Sequence, residues 1–145
     1  MSFRVFYRVV LVIGAAALFS ADLARADERG ISLLDGRIVS VGITLNPSGA
    51  NLGFVAEIGG DDPRVQALVA VLRDAEPGCG HKCPNIGALR FRMSDESTIG
   101  IGLLPGHNEG DYGFRLYLGE EFLTVFCVDS ETMLGALKDL GVPVE

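Results

Sequence analysis

The chain lacks the roughly 20-residue apolar run that a membrane-spanning helix requires; the run at its N-terminus, Val9 to Phe19, has eleven residues. It lacks the phosphate-cradling patterns G-x-x-x-x-G-K-[ST] and G-x-G-x-x-G, the G-x-S-x-G turn of serine hydrolases, and both the C-x-x-C pair and the C-x-x-C-H haem attachment. With only three cysteines and two histidines, no Ser-His-Asp order can be laid out, so the sequence points to a non-enzymatic protein. Basic residues are also scarce, 12 against 19 acidic ones. Such a balance repels phosphate backbones and anionic lipid, which excludes nucleic acid and a membrane surface as partners and leaves a protein partner open.

What is present begins with an export signal. Arg4 and Arg8 precede the Val9–Phe19 run, which closes on Ala24-Arg25-Ala26, an A-x-A cleavage pattern. No twin-arginine pair and no cysteine near the cleavage site accompany it, which indicates general export without a lipid anchor. The expectation is therefore a signal peptide over 1–26 and a periplasmic or extracellular domain over 27–145. Removing Arg4, Arg8, Arg25 and Asp22 with the leader leaves 9 basic and 18 acidic residues, a net charge of −9. The remaining length suits one domain with one core.

Periodicity then sets out the elements. Val39, Val41, Ile43 and Leu45 alternate with polar or small residues, Asn46 to Gly49 reads as a turn, and Leu52, Phe54, Ala56 and Ile58 resume the alternation, which predicts a hairpin. Val65, Leu68, Val69 and Leu72 change the period to that of a helix, with Asp61 or Asp62 as cap and Pro63 at its first position. Strands follow around Phe91, Ile101 and Leu116, and a near-continuous apolar run, Phe122 to Val128, reads as a central or doubly covered strand. A last helix starts at Asp129 or Ser130, carries Met133, Leu134, Leu137 and Leu140, and stops at Gly141. The expected architecture is α+β: an antiparallel sheet of about six strands, formed by an N-terminal hairpin and a four-stranded meander, with the helices packed on one face.

The meander brings the chemistry together. In such a sheet alternate loops share an end, so the loop Cys79-Gly80-His81-Lys82-Cys83-Pro84, the loop holding His107, and Cys127 are all expected at one rim. A disulfide from Cys127 to Cys79 or Cys83 is the preferred reading, because a small exported domain gains roughly 2–4 kcal/mol from such a staple and a Cys79–Cys83 bridge would close only a very small loop. A zinc or copper site using Cys79, Cys83, Cys127, His81 and His107 is the alternative. A redox dithiol is disfavoured, since the loop follows a helix C-terminus, whose dipole opposes thiolate formation. His107 to Asp111 does not have the EF-hand spacing.

One further group stands out. Arg90, Arg92 and Arg115 fall on the outward phase of neighbouring strands with Tyr117 beside them, a composition favoured at interfaces. Cross-strand pairing of these arginines with Glu57 and other acids is the bland arrangement against which that reading is set. In size, acidity and export the chain resembles small periplasmic inhibitors and immunity proteins, and that likeness implies a protein partner. Without a family motif it rests on size and composition alone.

Overall fold

The structure, a computed structural model, describes residues 31–45, 55–78, 82–105 and 110–143. The signal peptide expected over 1–26 lies outside them. After a 3₁₀ turn, Ser32–Asp35, the elements run β1 (Ile38–Leu45), β2 (Val55–Gly59), α1 (Pro63–Arg73), β3 (Glu76–Pro77), β4 (Gly87–Met93), β5 (Thr98–Leu103), β6 (Asp111–Leu118), β7 (Glu121–Asp129) and α2 (Ser130–Asp139). All seven strands join one sheet, ordered β2-β1-β4-β5-β6-β7-β3, and every adjacent pair is antiparallel. The α+β architecture, the β1–β2 hairpin and the β4–β7 meander agree with the sequence reading. The seventh strand is the addition.

Alternation makes the sheet two-sided. Leu89, Phe91 and Met93 of β4 are buried while Arg90 and Arg92 between them are exposed, as the period of two requires. The inward residues of the strands join Val65, Leu68, Val69 and Leu72 of α1 and Met133, Ala136 and Leu137 of α2 in one core. The two helices pack on each other, and α2 also contacts β6 and β7. Inside the core Phe114 and Phe126 stack with ring centroids 5.7 Å apart.

Both helices start where the sequence places them. Asp62 caps α1, its Oδ1 accepting the Arg64 backbone N–H at 2.9 Å, and Asp129 caps α2 by accepting from the Thr132 N–H at 2.8 Å. At the far end of α2 Gly141 adopts a φ of +80°, the left-handed conformation that ends a helix without a Cβ penalty.

Two bulges correct the simple alternation. Between Ile38 and Ser40 the pairing with β4 shifts by one residue, so Val39 is the extra residue, 43% exposed, and Ile38 takes the buried position. A second shift inserts Leu123 into β7 between the Leu116–Thr124 and Tyr117–Phe122 pairs. Leu123 packs against the core and Phe122 turns to the outer face, 51% exposed. The β7 run is therefore open on its outer face at Phe122, while its place between β6 and β3 makes it, as expected, not an edge strand. It pairs fully with β6, but with β3 only at Phe126 and Cys127.

Candidate functional site

The outer face of the sheet is built in register. Across its middle stand Glu57, Gly42, Arg90, Gly100, Tyr117 and Phe122, one from each strand from β2 to β7. Arg90 thus has a glycine on both sides. Gly102, the next outward position of β5, lies between Ala88 and Arg115. Two successive outward positions without side chains turn β5 into the floor of a trough. The resulting groove encloses about 480 Å³, with Arg90 on the β4 side, Tyr117 and Glu120 on the β6 side, Thr98 lining it beyond Gly100, and Asn85.

Asn85 arrives there because β3 sits on the far edge of the sheet, beyond β7, while β4 lies in its middle. The connection between them has to pass β7, β6 and β5, and its later part lies over the outer face as a strap. Arg115 holds it, donating from Nη2 to the Cys83 carbonyl at 2.7 Å and from Nη1 to Asn85 Oδ1 at 2.6 Å. With its oxygen occupied by Arg115, Asn85 donates from Nδ2 to the Tyr117 hydroxyl at 3.3 Å. The Ile86 N–H then bonds to the Leu103 carbonyl at 2.8 Å and delivers the chain into β4. Gly102 permits the close approach: a Cβ there would lie 2.5 Å from Asn85 Nδ2. Gly100 is covered on one side by Tyr117, whose Cβ would be 3.2 Å from a Cβ at that position. Tyr117 also meets Phe122 edge-on, with centroids 5.8 Å apart.

The expected site residues separate accordingly. Arg90, Arg92, Arg115 and Tyr117 share the outer face, but in two roles: Arg115 and Tyr117 fix the strap, whereas Arg90 and Arg92 have no hydrogen-bond or ion-pair partner among the described residues. The pairing of Arg90 or Arg92 with Glu57 does not occur. The two ion pairs among the described residues lie at the ends of α1, Arg64 with Asp62 at 2.7 Å and Arg73 with Asp35 at 3.1 Å. Cys83 lies in the strap, and Cys127 on β7 opposite Gly113, in the same outward phase as Val125 and Arg115. Cys79, His81 and His107 lie outside the described residues. Among the described residues no group of three or more His, Cys, Asp and Glu side chains is placed to hold a metal ion.

Sequence reasoning did not find the trough. Its signal was present as Thr98-Ile99-Gly100-Ile101-Gly102-Leu103, a strand whose outward phase is Thr, Gly, Gly. Glu120, placed in a turn, and Asn85, placed nowhere, could not be joined to the face without the crossing of the strap.

Hydrogen bonds and burial shift the titration of three groups that lie away from this face. The side-chain hydrogen bond from Arg64, then its backbone N–H, hold the Asp62 carboxyl at about 2. Thr132 lowers Asp129 in the same way, through its hydroxyl and its backbone N–H. Burial pushes the Tyr112 phenol up to about 12. No protein-family model, curated protein or solved structure matches the chain.

Proposed function

We propose that this chain is an exported, non-enzymatic binding module that takes its ligand or protein partner on the outer face of the sheet. The observation that carries the reading is the pair Arg90 and Arg92, exposed and without an acidic partner among the described residues beside a groove, in a chain of formal net charge −7. Unpaired guanidinium groups in an acidic protein favour an anionic group on the partner, since each can form a bidentate pair with a carboxylate. Export rests on the Arg4–Ala26 leader pattern. A disulfide from Cys127 to a cysteine of the strap belongs to the same reading, supported by the shared outer face of Cys127 and the strap and by the entry of the chain into the strap from Glu76, opposite Cys127.

The test is retention of components of an export-compartment extract on immobilised protein, compared with R90E/R92E and with the charge-matched control R37E/K138E. Retention lost only in R90E/R92E is expected. Equal retention on all three proteins would remove the sheet face from the function. Alkylation of the purified protein under denaturing conditions, with chelator and without reductant, should add one alkyl group if one disulfide is present. Addition of three would show every thiol unpaired and turn attention to zinc or copper.

A further inference from the structure

The trough over β5 has charges of opposite sign on its two walls. Arg90 stands on the β4 side and Glu120 on the β6 side, and neither has a hydrogen-bond or ion-pair partner among the described residues. The floor is the backbone of Gly100 and Gly102, already hydrogen-bonded to β4 and β6, so a ligand there cannot add a strand and has to be held through its ends and its polar groups. The Tyr117 hydroxyl accepts from Asn85, which leaves its own proton to donate into the trough, and Thr98 supplies a second hydroxyl.

We propose that this trough is a binding site for free peptides of two or three residues, with the C-terminal carboxylate on Arg90 and the N-terminal ammonium on Glu120. The inference rests on the sheet-face reading above and names its ligand. Length supports it: Glu120, in the turn after β6, stands two strand spacings (about 10 Å) across from Arg90 and two to three residues (about 7–10 Å) along. Two or three extended residues at about 3.4 Å each bridge that diagonal of about 12–14 Å with the reach of the two long side chains. Charge supports it too. A phosphate dianion would gain Arg90 but face Glu120 in an acidic protein, whereas a zwitterion satisfies both walls. The volume of about 480 Å³ falls in the range usual for small-ligand pockets, about 300–1,000 Å³.

The experiment is an amide NMR titration of the whole domain with trialanine, its N-acetyl form and its C-terminal amide. Saturable shifts of the Gly100, Gly102 and Tyr117 amides are expected with trialanine, and binding about tenfold weaker with either blocked peptide, the loss of one charge-assisted contact. R90Q should abolish the preference for the free carboxylate, and E120Q the preference for the free amine; both positions are exposed, so the fold should be retained. No saturable shift, or equal binding of the blocked and free peptides, would overturn the proposal. If trialanine fails while R90E/R92E still loses retention of an extract component, the peptide site falls and the sheet-face reading stands. Loss of both results removes both.

Discussion

The inner face of β4, β5 and β6 is filled by Leu89, Phe91, Ile99, Ile101, Phe114 and Leu116, all 2% exposed or less, while the outer face of the same strands carries Arg90, Arg92, Gly100, Gly102, Arg115 and Tyr117. One backbone thus serves two kinds of surface. On the inner face shape decides, because each side chain touches several others and a void cannot be filled by water. On the outer face hydrogen-bond partners decide. Arg115, bonded to the strap, is part of the structure, and Arg90, one strand beyond the glycines, is not.

Substitutions should separate these surfaces, first by size of effect. Phe91→Ala or Phe114→Ala is expected to lower stability by about 3–5 kcal/mol in urea or thermal unfolding. Arg92→Ala, on the same strand as Phe91, should leave the midpoint nearly unchanged. Equal losses would mean that the outer face is packed against something that stabilises the fold. Within the outer face, Arg115→Met should cost about 1–3 kcal/mol and speed amide exchange in residues 82–86, because the Cys83 carbonyl and Asn85 lose a charged donor. Arg90→Met should do neither. If both variants exchanged alike, the division between fixed and free arginines would be wrong.

Tyr112 tests the inner face more finely. Its ring is buried, yet its hydroxyl has no hydrogen-bond partner among the described residues. Tyr112→Phe should therefore be neutral or slightly stabilising, within about 1 kcal/mol. The phenol is raised from its ordinary 10.0 to about 12 in the folded chain, so the unfolded chain releases its proton first. Stability should fall as pH rises from about 10 to about 12, and that slope should be absent in Tyr112→Phe. The smallest effect belongs to neither face. Asp62 is depressed from 3.8 to about 2, so the stability it confers is complete above about pH 4 and is lost as pH falls towards 2; Asp62→Asn should flatten that limb of the profile.

Local signals were legible in the sequence and relations between distant segments were not. The caps of both helices, the Pro63 start, the Gly141 stop and the β4–β7 meander follow from residues close together in the chain, and the structure places them where periodicity put them. Val39 and Phe122 went astray because a bulge adds one residue to one strand of a pair, and nothing in the alternation itself marks it. β3 was missed because two residues are too few for any period to register. That omission concealed the most: without β3 on the far edge, the cysteine loop reads as a rim loop leading into β4, and the crossing of residues 82–86 over the outer face goes unseen.

The position of β3 also orders events in time. Glu76 and Pro77 precede the whole β4–β7 meander, but their partners, Cys127 and Phe126, come at its end. Every other adjacent pair except β1 with β4 is formed by strands consecutive in the chain. Bringing β3 to β7 joins residues about 50 positions apart for two residue pairs, the fewest in the sheet, and its partner strand is the last of the meander, so its docking belongs after the meander has formed. The strap, residues 82–86, leads directly into β4. Asn85 thus reaches a groove built by the meander from a connection whose upstream anchor, β3, is the last strand to be fastened.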